Sequence, residues 1–346
     1  MSNLEGAAHG LPFTARRKQV SSATEWTKKS YLQSESGPVV ITPIEALDLV
    51  AWSRENASSI RDMIEKQGAV LFRGFVIEAI ETFRNFVLTL SPDMLEYKER
   101  SSPRHKVQPD IYTSTDYPAH QSIFFHNENS YQFTWPMKIC FFCCQPAQQG
   151  GETPIADVRK VYKRLSAATI RRFEEKNCMY VRNFDEALGL SWQEVFQTSS
   201  QLQVEAYCRD NGIACEWKAN NGLRTRAIRP AVAVHPRTGE QVWFNHAAFF
   251  HISTLDASIR DGLLSAMAES DLPANSYYGD GSPIEDGVIE EIRSAYHSEA
   301  ISFPWEKGDI LAVDNMLTAH SRNPFSGDRK ILVGMAEPFS QQTSPS

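Results

Sequence analysis

The sequence predicts a mainly β chain, a β-sandwich or jelly roll with helical additions, forming one domain. Three observations carry this. Short apolar runs bounded by Gly, Pro, Asn and Asp recur from residue 121 to residue 337. Helical periodicity is grouped ahead of and between those runs, so nothing argues for βαβ alternation. His126 and Glu128 sit two residues apart inside such a run, a spacing that places them on one face only in extended chain.

Composition excludes several classes. The chain has 346 residues, 42% apolar and 22% charged, the balance of an ordinary globular protein. Its 35 basic and 42 acidic residues give a net charge of −7 with no Lys/Arg block, which argues against a nucleic-acid or anionic-membrane surface. The longest apolar runs fall far short of a membrane span, and Met1 to Ser22 has no apolar core of a secretory signal. A cytoplasmic protein with six reduced cysteines is expected. Cys140, Cys143 and Cys144 invite a zinc reading, but no second CxxC or paired His follows at finger spacing, so they read as small core residues.

In chain order, residues 1–38 read as a polar arm and 39–339 as the domain. A helix is expected to open at Ile41-Thr42-Pro43 and run to about Lys66, where Gly68 stops it. Ala69–Phe72 follows as a buried strand, and Glu78–Leu90 as a second amphipathic helix. Residues 93–120 are loop-like. Strands are expected at Ile123–Glu128 and Ile139–Gln145, then a helical insertion over about 157–220 that covers the roll. Arg224–Val234 and Gln241–Asn245 form a hairpin around His235-Pro236-Arg237-Thr238-Gly239. Helices at Ala257–Ser270 and Ile284–His297 precede closing strands at Ala300–Pro304, Asp309–Asp314 and Arg329–Glu337, and a polar tail covers 340–346.

An imidazole beside a carboxylate needs one more imidazole to make a three-ligand face on a metal. His320, after the turn that ends Gly308–Asp314, supplies it. Two His and one carboxylate with open positions is the pattern of non-haem Fe(II) oxygenases. An HxE triplet alone is weak, and its bland reading is a surface pair or a satisfied core histidine. Thr153, after Gly150-Gly151, can donate to a carboxylate. Arg329 shares a strand face with Ile331, Val333 and Met335, where a guanidinium is costly unless an anion pairs with it. Thr153 at one end and Arg329 at the other are expected to hold a small dicarboxylate; an ordinary surface ion pair is the other reading of Arg329.

These residues resemble the taurine dioxygenase/TfdA superfamily of Fe(II)/2-oxoglutarate oxygenases, in its clavaminate-synthase-like and SyrP-like branch. The likeness rests on Gly68–Phe75, Phe125–Glu128, Gly150–Pro154, Gly239–Asn245, Tyr278–Gly281 and Gly308–Arg329, in order along the chain. It implies a double-stranded β-helix, or cupin-like jelly roll. It also implies Fe(II) on His126, Glu128 and His320, with Thr153 on the C1 end of 2-oxoglutarate and an arginine after His320 on its C5 carboxylate. Arg329 fits that arginine best, and Arg322 competes for it. O2 completes the reactants, and succinate and CO2 leave. Glu128 occupies the site a halide would need, which disfavours halogenation and leaves hydroxylation, desaturation or cyclisation.

The expected substrate is an amino acid or a related small metabolite, free or tethered to a carrier protein. Asn129, Tyr131, Gln121 and Asn245 are its expected contacts, with Ser130, His246, Thr115 and Tyr117 near the opening. A non-catalytic metal- or ligand-binding jelly roll is the alternative from another class, and a homo-oligomer is compatible with either.

Overall fold

The structure is a computed structural model, and it describes residues 26–34, 37–96, 99, 104–185 and 189–340. Two sheets face each other as the halves of a jelly roll. The larger has eight strands, in the order Thr27–Tyr31, Val39–Pro43, Ala69–Phe72, Ile310–Asp314, Thr134–Gln145, Lys330–Ser340, Ile111–Thr113 and Lys106–Gln108. The smaller has four: Ala300–Ile301, Ile155–Asp157, Thr318–Arg322 and Ile123–His126.

The apolar runs of the larger sheet are nearly continuous because both its faces are buried. Alternation splits each strand between two layers. Val70, Phe72, Phe142, Ile310 and Ala312 pack against Ile60, Ile64, Phe83 and Phe86 of the helices on the outer face. Leu71, Phe141, Leu311, Val313, Ile331 and Val333 point inward, toward Ile155 of the smaller sheet. The same alternation disposes of zinc. Cys140 and Cys143 are three residues apart, lie in opposite layers and are buried thiols pushed up to about 12 by desolvation.

Two expectations are corrected near the start. Ile41-Thr42-Pro43 does not open a helix. The β-branched run Val39–Thr42 forms a strand, parallel to Ala69–Phe72 and antiparallel to Thr27–Tyr31, which falls inside the segment expected as an arm. Residues 1–25 of that arm lie outside the described residues. The helix begins at Leu49, where the Asp48 carboxylate accepts from the backbone N–H of Val50 and Ala51, and it divides at Asn56 into Leu49–Glu55 and Ala57–Gln67. Gly68 ends it in the left-handed region, and a Cβ there would sit 2.5 Å from Thr318 Oγ1, on the strand that carries His320.

The insertion is corrected as well. It holds four helices, Val158–Arg164, Ala167–Lys176, Trp192–Phe196 and Gln201–Asp210, but also the strands Cys178–Phe184 and Ile213–Trp217. These join Leu223–Arg229 and Ala274–Tyr278 in a separate four-stranded sheet. Arg182 and Asn183 hide the first strand in the sequence. Both are buried: Asn183 donates to the carbonyls of Ser270 and Leu272, and Arg182 stacks over Tyr131 and Phe184. The expected hairpin is present, with Val232 opposite Trp243 and Val234 opposite Gln241. Among the described residues, no helix is long and apolar enough to cross a membrane.

Candidate metal centre and adjoining cavities

His126 ends the strand Ile123–His126, and Thr318–Arg322 runs antiparallel beside it with His320 directly opposite. Glu128 lies two residues beyond His126. The ligand atoms of these three buried side chains all lie within 4.8 Å of one another, and among the described residues they are the group able to share an ion. His126 Nδ1 lies 2.9 Å from the Phe124 carbonyl, which assigns the proton to Nδ1 and turns Nε2 outward as a ligand. Burial lowers the pKa of His126 and takes that of His320 well below the usual imidazole range, so both are neutral donors near pH 7.

The turn after Ile310–Asp314 locks the ligand strand. Asn315 Oδ1 accepts from the Glu128 N–H at 2.8 Å, and its Nδ2 donates to the carbonyls of Glu128 and Pro136 at 2.9 Å each. One amide thus satisfies both backbone groups of a metal-type residue. Beside it, Asp314 is buried against Lys138 Nζ at 2.7 Å and His235 Nε2 at 3.2 Å. At the other end of the Glu128 side chain, Arg104 Nη2 donates to Oε2 at 2.7 Å.

A narrow cavity of about 40 Å³ opens on His126 and His320 and runs to Thr153, Arg322 and Arg329. Trp305 Nε1 donates to Thr153 Oγ1 at 3.1 Å, and Arg329 Nη2 lies 3.4 Å from the same oxygen. With its lone pairs engaged, the hydroxyl keeps its proton for a guest. The two residues therefore stand side by side at one end of the cavity, not at opposite ends of a clamp as the sequence suggested. Arg329 Nε donates to the Gly151 carbonyl at 2.8 Å, and a Cβ on Gly151, at φ +74°, would lie 3.0 Å from Arg329 Cδ. Burial, then the charge of Arg322, push the Arg329 guanidinium down to about 10, so an anion settling against it relieves both costs. Arg322 lines the same cavity, but its two terminal nitrogens donate to the carbonyls of Tyr117, Pro118 and Gln121.

A second cavity of about 410 Å³ shares Arg104, Thr115, Ile123 and His126 with the first. Its walls include Phe249, Ile252, Leu263 and Leu272, with Asp256 and Arg293 as charged members. Among the described residues, the buried Arg293 Nε has no hydrogen-bond partner. Its Nη1 donates to the Ser253 carbonyl, and the Glu290 carboxylate 3.9 Å away is largely exposed.

Of the expected substrate contacts, Thr115 and Tyr117 line this cavity, whereas Asn129, Tyr131, Gln121 and Asn245 line neither. Asn129 sits at φ +58°, so the chain turns there instead of continuing the ligand strand. Tyr131 donates to the Glu99 carbonyl within the core. Asn245 bridges the Ala231 carbonyl and the Ala247 N–H, Gln121 offers its carbonyl to Arg322, and Ser130 and His246 bond to each other. Arg104, Asp256 and Arg293 were not singled out from sequence. Each is an ordinary charge in a polar segment or on a helix, with no spacing signal.

Two imidazoles and one carboxylate on a jelly-roll ladder, with coordination positions to spare and an arginine grip alongside, define a non-haem Fe(II) oxygenase. Comparison with known proteins agrees. Residues 35–336 match the family described as Taurine catabolism dioxygenase TauD, TfdA family. The chain belongs to that family, and it is a non-haem Fe(II)/2-oxoglutarate-dependent dioxygenase. It is 41% identical to the dapdiamide synthesis protein DdaC of Enterobacter agglomerans over 279 residues, 81% of this chain and 85% of that one. A clavaminate synthase-like protein of Arabidopsis thaliana is 28% identical over 329 residues, 90% of this chain and 96% of that one. The fold is shared with PvcB of Pseudomonas aeruginosa, at a TM-score of 0.54 and 12% identity over 92% of this chain and 93% of that one. It is shared too with a taurine dioxygenase of Burkholderia xenovorans, at 0.50 and 16% over 91% and 93%.

Proposed function

We propose that this dioxygenase hydroxylates an unactivated C–H bond of an amino acid or amino-acid-derived metabolite, using Fe(II), 2-oxoglutarate and O2 and releasing succinate and CO2. The observation that carries the reading is the convergence of His126, Glu128 and His320 within 4.8 Å, at the head of the cavity that ends in Thr153 and Arg329. The three side chains hold the iron, which with its co-substrates supplies the oxidising power for C–H cleavage. Arg329 pairs with one carboxylate of 2-oxoglutarate and Thr153 donates to it, which points the oxo-acid end at the metal. Arg322 braces the 117–121 loop over that cavity. Phe141 and Val333 line it and exclude water.

The larger cavity supports a small polar substrate. It meets the metal face at His126, its walls mix apolar and polar side chains, and Arg104, Arg293 and Asp256 bring charges of both signs to it. The names of relatives point the same way: DdaC belongs to dapdiamide synthesis, and PvcB to an isonitrile synthetic pathway. Glu128 keeps the coordination site a halide would take, which favours oxygen insertion over halogenation.

The test is a panel of free amino acids, small amino-acid derivatives and carrier-loaded amino acids, incubated with the protein, Fe(II) and 2-oxoglutarate and read by product mass. Gain of one oxygen, matched by succinate, supports hydroxylation. Loss of two hydrogens reassigns the same enzyme to desaturation or ring closure. Metal binding with no 2-oxoglutarate consumed on any member points to a binding protein instead.

A further inference from the structure

We propose that Arg104 is the positioning residue of the metal-ligating carboxylate. It holds Glu128 through Oε2, the oxygen that also lies 3.9 Å from His320 Nε2, and so fixes the orientation in which the carboxylate joins the metal face. This rests on the assignment of His126, Glu128 and His320 as the metal face.

The contact is direct and dry. Arg104 Nη2 lies 2.7 Å from Glu128 Oε2, with the two side chains only 4% and 3% exposed. A glutamate reaches its metal through one more torsion than an aspartate, and each free torsion adds rotamers that ordering must remove. Asn315 restrains Glu128 at the backbone but cannot restrain the carboxylate tip. Arg104 does so from the opposite end. A carboxylate free to swing samples several orientations toward its neighbours, whereas one hydrogen-bonded through Oε2 is held in one. The location fits the role: of the four residues shared by the two cavities, Arg104 is the charged one, so it stands where co-substrate and substrate meet.

The sign of the effect separates this role from simple electrostatics. A guanidinium beside a divalent ion repels it, so on charge alone, removing Arg104 strengthens metal binding. If Arg104 positions the ligand, removing it weakens metal binding, because partners that orient metal ligands are worth about 10–100-fold in affinity.

The experiment titrates the full-length apo-protein with Mn(II), reading free Mn(II) by electron paramagnetic resonance, and then measures 2-oxoglutarate affinity on the Mn(II)-loaded protein. Arg104→Gln is expected to lose about 10–100-fold in Mn(II) affinity. Arg104→Lys, which keeps one donor but not the planar fork, recovers part of it. Weaker 2-oxoglutarate binding on loaded Arg104→Gln is expected as well. Unchanged or tighter Mn(II) binding in Arg104→Gln overturns the proposal. Circular dichroism checks the fold. Should Arg104→Gln not fold, Arg104→Lys decides alone, with a loss of about 3-fold or more expected and unchanged affinity contradicting the role. His126→Ala is the separate control: if it binds Mn(II) as tightly as wild type, the metal face itself is wrong, and Arg104's role falls with it.

Discussion

His126 and His320 are direct partners across an antiparallel ladder, with ring centroids 4.3 Å apart. The metal face is thus a property of strand register. Slipping either strand by one residue would turn its histidine to the other side. What holds the register is the Asp314-Asn315 turn. Asp314 Oδ1 accepts from the N–H groups of Met316 and Leu317, and the Asn315 amide fastens to Glu128.

Asn315→Ala is therefore expected to damage both stability and the metal face. It strips three buried hydrogen bonds and leaves their backbone partners unsatisfied, a cost on the order of 3 kcal/mol. Thermal unfolding checks the first effect and Mn(II) titration the second. A variant of wild-type stability would mean that the ligand strand is held elsewhere.

Arg329 and Arg322 separate cleanly. Arg329→Ala removes the guanidinium beside Thr153, and the KM for 2-oxoglutarate is expected to rise about 30-fold or more, equivalent to about 2 kcal/mol. Arg322→Ala frees three carbonyls of the 117–121 loop, so it is expected to lower stability and to affect KM less. Steady-state kinetics with 2-oxoglutarate varied settles the order, and the reverse ranking would exchange their roles.

Asp314 makes stability depend on acid. Burial alone would raise its pKa, but Lys138 and His235 outweigh that and hold it at about 2, against an ordinary 3.8. A depressed carboxylate stabilises the fold above its unfolded pKa, and that contribution is lost as pH falls through the folded one. On the order of 2 kcal/mol should therefore vanish between about pH 4 and pH 2. Asp314→Asn also strands Lys138, and is expected to cost on the order of 3–5 kcal/mol at neutral pH. Denaturant curves of both proteins check this: the gap between them narrows with acid. A gap that stays constant would contradict the pairing.

Arg293 is expected to matter for the substrate and not for 2-oxoglutarate. Arg293→Gln removes a guanidinium that lines the larger cavity only, so substrate KM should rise about 10-fold or more while 2-oxoglutarate KM stays unchanged. Kinetics on any carboxylate-bearing hit from the panel reads both constants. Equal effects on the two would place Arg293 elsewhere.

Part of the metal face was legible because strand alternation is a hard geometric rule: it sets His126 beside Glu128 and turns Ile331, Val333 and Met335 inward, whereas His320 rested on a late histidine after a turn and on the family resemblance. Residues whose role depends on tertiary approach were not. Arg104 is one of several basic residues in a polar loop, and only the fold carries it to Glu128. Asn129 and Tyr131 looked like pocket residues because they follow the ligands in sequence, yet a left-handed turn at Asn129 carries the chain into the core. Ile41-Thr42-Pro43 resembled a helix start, but partners on both sides kept it extended, as tertiary pairing overrides local signals.

The most direct measurement is succinate release as a function of added Fe(II) and 2-oxoglutarate, for wild type, His126→Ala and His320→Ala. Wild type is expected to form succinate only when both are present, and each variant to lose that turnover while remaining folded. Turnover retained by both alanine variants would contradict the metal face on which the proposed function stands.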